Sequence, residues 1–247
     1  MHRHALRTLS ALAFTAALTA QAAVAPSGPT GLLNDTGQTQ CNNGTAMVAC
    51  DAATTGDASP RPRQDGRFGR DPAATVPGTL TKVGGGAAGF DFSKVCFNGD
   101  LQGAGTCTGA LVANTGAVPS GTASTDWACT KDNLTNLIWS LHSGQGEWTT
   151  YARTTLPAAH NAQSRCGFNT GWRLPTRREL LSIANYDGSS PSIDSTYFPA
   201  TQANWYWTND PYQPLPAYAW VVDFDYGYPD ADYTTNTYYV RLVRSGQ

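Results

Sequence analysis

The sequence predicts an α+β fold for residues 126–247, with two short helices followed by an antiparallel, loop-rich sheet. Three observations support this prediction. All seven Trp and all eleven Tyr lie in this segment, so the side chains that can build a large core are concentrated there. Helix start signals occur at Pro157 and Thr176, and three later runs alternate between apolar and polar residues as strands do.

Two segments carry the helix signals. The segment Pro157–Cys166 begins with a proline, which suits the first helical turn, and ends before Gly167, a helix stop signal. The segment Thr176–Asn185 begins with a T-x-x-E capping box made by Thr176 and Glu179, and apolar residues follow at helical spacing. We therefore expect two short helices that each bury one face.

Four segments are predicted to be strands. Asn133–Ser140 combines a polar turn with a short apolar run, which is typical of a turn that leads into a buried strand. Trp205–Thr208, Ala219–Phe224 and Thr237–Arg244 alternate apolar and polar positions, so each should present one face to the core. Loops rich in Tyr, Asp, Asn, Gly and Pro separate the last three segments.

The first 22 residues have the pattern of a secretory signal peptide. A basic head precedes the apolar run Ala11–Ala20, and small-residue A-x-A sites follow it. The run is shorter than the roughly 20 apolar residues that a membrane span needs, and no other segment comes close. We therefore expect an exported protein without a transmembrane segment, located in the periplasm, on the cell surface or outside the cell.

The six cysteines indicate three disulfides. An even number of cysteines in an exported chain favours disulfides over metal ligands, and no C-x-x-C redox motif is present. Several pairings are open, and proximity along the chain favours pairing each cysteine with the next. The predicted pairs are Cys41 with Cys50, Cys96 with Cys107, and Cys129 with Cys166.

Composition divides the chain near residue 126. Residues 23–125 are rich in Gly, Thr and Asp and contain no Trp or Tyr. Such a segment buries little, so we expect an irregular N-terminal region stapled by the first two disulfides. The predicted organisation is a signal peptide over residues 1–22, this irregular region over residues 23–125, and a folded domain over residues 126–247.

Charge and motifs argue against several functions. Only 14% of the residues are charged and the formal net charge is -2, so a nucleic-acid partner is not expected. No G-x-S-x-G, H-E-x-x-H or Gly-rich phosphate loop occurs. After export the chain keeps His142 and His160, which we interpret as surface residues without a catalytic partner. The sequence predicts no enzyme, although a carbohydrate hydrolase that uses two Asp stays an alternative.

Four motifs follow one another along the predicted domain: Trp172–Ile183, Trp205–Thr208, Ala219–Trp220 and Tyr239–Arg244. In their order and spacing they resemble the Lcl C-terminal domain family, named after the Legionella collagen-like protein. The resemblance covers residues 126–247 and implies a C-type-lectin-like fold, which is also related to the formylglycine-generating enzyme. It implies an exported, surface-associated adhesive domain, and the named member binds sulfated polysaccharides. The late cysteines of the enzyme have no counterpart, because no cysteine follows Cys166.

Tyrosine and aspartate residues near the C-terminus form the candidate binding site. Tyrosine offers a flat face and a hydroxyl at low entropic cost, a combination that suits recognition. We expect the segments Asn209–Tyr218 and Gly227–Tyr238 to bind a glycan or protein ligand. The candidate ligand-binding residues are Asp210, Tyr212, Tyr218, Tyr226, Tyr228, Asp230, Asp232 and Tyr233.

The sequence of the candidate binding segments also predicts which side chains are exposed, the charge of the loops and the ion that they could bind. Neighbouring Pro, Asp and Thr residues favour exposure of Tyr212, Tyr228 and Tyr233. Residues 180–240 contain seven Asp and no Lys or Arg, which argues against a sulfated ligand on these loops. Calcium is considered as a bound ion because Asp carboxylates are suitable ligands for it. No other cofactor is expected. The aspartates considered for calcium are Asp223, Asp225, Asp230 and Asp232, and the aromatic residues expected in the core are Trp205, Trp207, Trp220 and Tyr239.

The remaining motif residues are expected to be structural. Three arginines sit within otherwise apolar motifs, so their guanidinium groups should bond loop carbonyls or carboxylates such as Asp194. The residues assigned a structural role are Trp172, Arg173, Pro175, Thr176, Glu179, Trp207, Trp220, Arg241 and Arg244. A structural or assembly component of the cell envelope is the alternative to a binding protein.

Overall fold

A seven-stranded sheet forms the centre of the fold. The computed structural model describes residues 35–49, 70, 81–117 and 125–246. The strands are β1 Cys41–Asn42, β2 Met47–Val48, β3 Phe92–Cys96, β4 Trp127–Asp132, β5 Leu137–Gly146, β6 Trp205–Pro211, β7 Tyr218–Asp223, β8 Pro229–Tyr233 and β9 Tyr238–Ser245. The helices are α1 Leu156–Ala162 and α2 Arg177–Leu181, with a π-helical segment Trp148–Thr155 that leads into α1 and a 3-10 turn Arg165–Gly167.

The sheet combines antiparallel pairs with one parallel contact. Its strand order is β3-β4-β5-β9-β6-β7-β8, while β1 and β2 form a separate two-stranded ladder. Strands β6 and β9 run parallel and meet at Tyr206 and Tyr239; the other neighbours are antiparallel. The last strand therefore lies in the middle of the sheet, where it joins the β3–β5 meander to the β6–β8 meander.

Apolar side chains cover both faces of the sheet, because successive residues of a strand point to opposite faces. One core contains Trp207 and Val221 and includes side chains of the helical segment Trp148–Ala162. The other contains Tyr206 and Val222 and includes side chains of α2. We call these two sides of the sheet the α1 face and the α2 face.

The first predicted helix is present as α1, which begins at Leu156, one residue before the predicted start, and ends at Ala162, before the predicted end. A separate π-helical segment leads into it from Trp148, so helical structure starts earlier than predicted. The Glu147 carboxylate caps this start by accepting the backbone N–H of Thr150. Because backbone N–H groups at a helix start have no partner within the helix, this cap explains why the helix extends towards the N-terminus.

The second predicted helix, α2, is shorter than predicted at its C-terminal end. The capping box is confirmed, since the Thr176 hydroxyl accepts the N–H of Glu179 and the Glu179 carboxylate accepts the N–H of Thr176. After Leu181 the chain leaves the helix, and Ala184 forms a β-bridge with Ile193. The last residue of the predicted apolar stripe, Ala184, thus lies in a β-bridge and not in a further helical turn.

The four predicted strands are confirmed as β5, β6, β7 and β9, with bounds that differ by a few residues. Strands β3, β4 and β8 lie outside the predicted segments. The sequence of β8, PDADY, has the Pro and Asp residues that are typical of loops. It can form a strand because β8 lies at an edge of the sheet, where a proline without an N–H is tolerated.

The sheet begins earlier in the chain than the change in composition at residue 126 predicts. Strand β3 precedes that residue and pairs with β4. Phe90 and Phe92 stack with their ring centroids 5.4 Å apart, and both are buried in the core of the α2 face. The expectation that residues before 126 bury little therefore fails for this stretch, because its phenylalanines complete a core built mainly from later residues.

Two of the predicted disulfides are confirmed. Cys96 is bonded to Cys107, and Cys129 is bonded to Cys166. The second bond joins β4 to the 3-10 turn that follows α1. Disulfides are compatible with an exported protein, because they persist in oxidising compartments.

The remaining predictions about the N-terminal region fall partly outside the described residues. Cys41 is disulfide-bonded, and its predicted partner Cys50 lies outside the described residues, as does the predicted signal peptide over residues 1–22. None of the helices in the described ranges has the length and apolar character that a bilayer crossing requires.

Candidate functional site

The register of β7 and β8 divides the predicted ligand residues between the two faces of the sheet. Tyr218 lies opposite Tyr233, and Ala219 lies opposite Asp232. Opposed residues share a face and successive residues alternate, so Tyr218 and Tyr233 lie on the α2 face. Asp230 and Asp232 lie on the α1 face, where Ala219 is buried. The predicted residues therefore form two surfaces instead of one.

Four aromatic side chains form a row on the α2 face, which we call the tyrosine face: Tyr212, Tyr218, Trp220 and Tyr233. The ring centroids of Tyr218 and Tyr233 are 4.2 Å apart. Tyr212 meets Tyr218 at 6.5 Å and Trp220 at 5.1 Å, both edge to face. Tyr233 is 51% exposed, and the other three are half-buried. Tyr212 is less exposed than predicted because it packs between two other rings, and the whole row is fixed by mutual contacts.

Two tyrosine hydroxyls of this row, those of Tyr218 and Tyr233, are hydrogen-bonded to each other. A hydrogen bond with Tyr233 raises the pKa of Tyr218 to about 12. The Tyr218 phenol therefore stays protonated near neutral pH. Together with the exposed ring of Tyr233, it offers both an apolar surface and polar groups to a ligand.

The first residue of α2 extends the tyrosine face. The guanidinium carbon of Arg177 lies 3.9 Å from the ring centroid of Trp220, a contact that typically stabilises by about 0.5 to 1 kcal/mol at an exposed site. The backbone N–H of Arg177 donates to the Asp210 carboxylate at 2.7 Å. Asp210, a predicted ligand residue, therefore joins the end of β6 to the helix that carries Arg177.

A charged pair and the capping box hold α2 in position. Arg173 donates to both carboxylate oxygens of Glu179, at 2.8 and 2.7 Å, and Glu179 also accepts the N–H of Thr176 at 2.7 Å. Burial alone would raise the pKa of Glu179, but these hydrogen bonds outweigh it and hold the pKa below its ordinary value. Arg173 also forms a backbone bridge with Val243 of β9, so the pair ties α2 to the centre of the sheet.

The two other arginines of the predicted structural set also lie against the core. Arg241 is fully buried, and it donates to the Ser140 carbonyl at 2.9 Å and to the Thr201 hydroxyl at 2.8 Å. The guanidinium carbon of Arg244 lies 3.4 Å from the ring centroid of Phe168. Hydrogen bonds to uncharged oxygens and contacts with aromatic rings thus accommodate these cations.

Asp194, which was expected to bond one of these arginines, accepts a hydrogen bond from the backbone instead. Its carboxylate accepts the N–H of Ala87 at 2.8 Å, which fixes a loop of the N-terminal region to the domain. Pro175 accepts a hydrogen bond of 2.7 Å from the backbone of β6, and Trp172 packs edge to face against His160 with centroids 5.5 Å apart. These motif residues position α2 and the two meanders relative to each other.

The α1 face carries a second, smaller aromatic cluster. Trp205 meets Tyr228 edge to face with ring centroids 5.4 Å apart, and the Tyr238 hydroxyl donates to the Asp232 carboxylate. Tyr228 is 46% exposed and Tyr226, between β7 and β8, is 63% exposed. The two clusters therefore lie on opposite faces of the sheet, with Asp232 on the α1 face and the tyrosine face on the α2 face.

Asp230 and Asp232 also bond the backbone of β8. This strand is last in the sheet order, so one of its edges has no strand partner in the part of the chain that the structure describes. The N–H of Ala231 donates to Asp230 at 2.8 Å, and the N–H of Tyr233 donates to Asp232 at 2.7 Å. The protein's own carboxylates thus occupy these N–H groups, which limits pairing with a further strand.

The aspartates considered for calcium do not converge. Asp223 is buried and accepts the N–H of Asp225 at 2.9 Å, and Asp225 accepts the Ser190 hydroxyl, whereas the other two aspartates lie on β8. Within the described ranges, no group of three or more His, Cys, Asp or Glu side chains is placed to hold a metal ion. Calcium binding stays a prediction for experiment.

The interpretation of the histidines as surface residues is wrong for His160, whereas His142 is half-buried. His160 is buried; its Nε2 lies 3.0 Å from the Ser140 hydroxyl and its Nδ1 lies 3.1 Å from the Leu156 carbonyl. Because a carbonyl only accepts, Nδ1 carries the proton and Nε2 accepts from the hydroxyl. Burial, and then the charge of Arg165, lower the pKa of His160 to about 3. With the His142 ring 5.5 Å away, this neutral imidazole is a packing element of the core.

Arg177 and the neighbouring exposed Arg178 are absent from the predicted ligand set. They precede β6 by a long stretch of chain, and only the fold brings α2 next to β6 and β7. The sequence signal that could have identified these two arginines is their position directly after the capping residue Thr176. The tyrosine face is consequently less acidic than the composition of residues 180–240 indicates, because Asp230 and Asp232 lie on the opposite face.

The described chain is thus an α+β domain that presents a row of aromatic side chains beside a capped, anchored helix. Residues 128–244 match the model of the Lcl C-terminal domain family. This part of the chain belongs to that family, as the motif resemblance predicts. The match begins within β4 and ends within β9, so it includes α2 and the tyrosine face. No curated protein matches the chain.

Proposed function

We propose that the protein is an exported, non-catalytic adhesion protein that binds a glycan or protein ligand through the tyrosine face. One observation carries the proposal: four aromatic rings in mutual contact remain partly open to solvent beside an arginine whose guanidinium stacks on one of them. A core would bury such rings, and a solvated loop would leave them apart. Fixed, half-exposed tyrosines are typical of recognition surfaces.

Rigidity supports binding at this face. Tyr218, Trp220 and Tyr233 project from paired strands, and Arg177 is held by Asp210 and by stacking on Trp220. Side chains that are already ordered lose little conformational entropy when a ligand binds. The tyrosine face therefore offers contact area at a low entropic cost.

The rest of the proposal follows from the family and from the chemistry of the chain. A C-type-lectin-like fold is compatible with a mostly β domain that has short helices and long connections. Export to the periplasm, the cell surface or the medium is compatible with the disulfides. The protein would act without a chemical step, by holding a surface ligand.

A binding screen of the exported form tests the proposal. The chain without residues 1–22 is applied to a glycan array, to a panel of purified surface proteins and to bacterial cells, with calcium and with a chelator. The Tyr218→Ala/Tyr233→Ala double variant is applied in parallel, after circular dichroism and thermal unfolding have shown that it is folded. We expect at least one ligand that the double variant no longer binds.

Three results would overturn this proposal. If no ligand binds, or if the folded double variant binds as well as the unchanged chain, the tyrosine face is an internal or subunit interface, and a structural component of the envelope becomes the better account. Release of a product from a bound glycan would instead show a hydrolase. A calcium requirement would assign the aspartates to ligand binding.

A further inference from the structure

We infer that Tyr218 and Tyr233 form an oxidative cross-linking site, at which a peroxidase acting with hydrogen peroxide joins the two rings by a carbon–carbon bond and fastens β8 to β7. This dityrosine bond is independent of the proposed function, because it depends on the reactivity of the two phenols and not on a ligand.

The two phenols already meet as a cross-strand pair. Tyr218 of β7 lies opposite Tyr233 of β8, an arrangement that holds two side chains at a short separation. Their ring centroids are 4.2 Å apart with an interplanar angle of 37°, and their hydroxyls share a hydrogen bond. In an oxidised phenol the ring carbons next to the hydroxyl are the ones that couple. The contact between the hydroxyls therefore also brings the reactive carbons together.

This pair combines ring contact with access to an oxidant in solution. Tyr233 is 51% exposed, and Tyr218 is half-buried. Tyr206 and Tyr239 are also stacked, with ring centroids 5.2 Å apart, but Tyr206 is fully buried. Tyr228 is 46% exposed, but its ring packs against a tryptophan instead of another tyrosine. Oxidation should therefore select the pair between β7 and β8.

The reaction balances with peroxide as the oxidant. The peroxidase removes one electron from each phenol, and each hydroxyl releases one proton, which leaves two phenoxyl radicals. The radicals combine in one bond between the ring carbons next to the hydroxyls. The hydrogen on each of these carbons then moves as a proton to the oxygen of the same ring. The protein thus loses two hydrogen atoms, and one molecule of hydrogen peroxide is reduced to two molecules of water.

The bond would stabilise a part of the sheet that disulfides cannot reach. The two described disulfides join Cys96 to Cys107 and Cys129 to Cys166, and no cysteine follows Cys166 in the sequence. β8 is the last strand in the sheet order, so only β7 pairs with it in the part of the chain that the structure describes. A covalent link between these strands restricts the unfolded chain in the way that a disulfide does.

Oxidation of the purified protein tests the inference. The exported form is treated with a haem peroxidase and hydrogen peroxide at low protein concentration, which disfavours bonds between copies. Tyr233→Phe and the matched control Tyr228→Phe are treated in parallel. Phenylalanine keeps the ring but lacks the hydroxyl that is oxidised, so both variants should stay folded, which circular dichroism checks. Mass spectrometry of protease digests locates the linked peptides, and thermal unfolding measures Tm.

We expect one bond within the monomer, between the peptides that contain Tyr218 and Tyr233, and a mass that is lower by two hydrogen atoms. Tm should rise by about 5 to 10 °C, as for a disulfide that closes a loop of this size. Tyr233→Phe should not form the bond, whereas Tyr228→Phe should form it as the unchanged chain does. The absence of this bond, or bonds only between copies or to other tyrosines, would overturn the inference. A bond that leaves Tm unchanged would overturn its role in fastening β8.

Discussion

Mild acid should destabilise the protein through His160. The ring is buried between the Ser140 hydroxyl and the Leu156 carbonyl, and its pKa falls from the ordinary 6.5 to about 3 because of burial and then the charge of Arg165. A second proton would have to sit on Nε2, facing a hydroxyl that already accepts the N–H of His142. The folded protein therefore resists protonation at this position.

The sign and size of the effect follow from the two pKa values. Because the folded pKa lies below the unfolded one, the unfolded chain binds more protons as the pH falls below 6.5. The contribution of His160 to stability is complete above that pH and is lost progressively towards pH 3. Each unit costs about 1.4 kcal/mol, so the free energy of unfolding should fall by about 2 kcal/mol between neutral pH and pH 5.

Urea unfolding at the two pH values measures this loss. The unchanged chain is compared with His160→Gln, both with disulfides intact, because carboxylates that titrate in the same range cancel in the difference. Burial also lowers the pKa of His142, so a His142→Gln background isolates the single ring. We expect the stability advantage of the unchanged chain to shrink by about 2 kcal/mol in acid. An advantage that is the same at both pH values would refute the reasoning.

Three further predictions concern the anchoring of the fold. Glu179→Gln keeps the capping hydrogen bonds but removes a charge, so it should cost about 1 kcal/mol, whereas Glu179→Ala should cost about 2 to 3 kcal/mol; equal losses in urea unfolding would contradict a separate contribution from the capping hydrogen bonds. Replacing Cys129 and Cys166 by Ser opens a loop with a sequence separation of 37 and should cost about 4 kcal/mol; unchanged stability would contradict it. Gly227→Ala puts a Cβ 2.9 Å from the Tyr186 ring at a φ of +81° and should cost at least about 1 kcal/mol, which calorimetry would show as a lower Tm.

Local signals in the sequence predicted the elements that depend on local chemistry. The capping box at Thr176 and the alternation in β6, β7 and β9 survive because hydrogen bonds within the element and burial of one face decide them. β8 could not be predicted, since its Pro and Asp residues are tolerated only at a sheet edge, and the edge is set by the whole topology. The role of Phe92 in the core also depends on pairing between distant segments.

The arrangement of the tyrosine face also depends on contacts between distant segments, so the sequence alone could not predict it. Exposure of Tyr228 and Tyr233 could be predicted from their neighbours, but their placement on opposite faces depends on the β7–β8 register. A shift of one residue would exchange the faces. Arg177 reaches Trp220 only because Asp210 and the Arg173–Glu179 pair hold α2 against the sheet, a contact between segments that are remote in sequence.

Two tyrosines of similar exposure allow the most direct test of the tyrosine face as the binding surface. Tyr233, on the α2 face, is 51% exposed, and Tyr228, on the α1 face, is 46% exposed. Each is changed to Ala, and the affinity for the ligand selected by the screen is measured by calorimetry. The account predicts a loss of about tenfold or more for Tyr233→Ala and less than about twofold for Tyr228→Ala. Equal losses, or a larger loss for Tyr228→Ala, would contradict it.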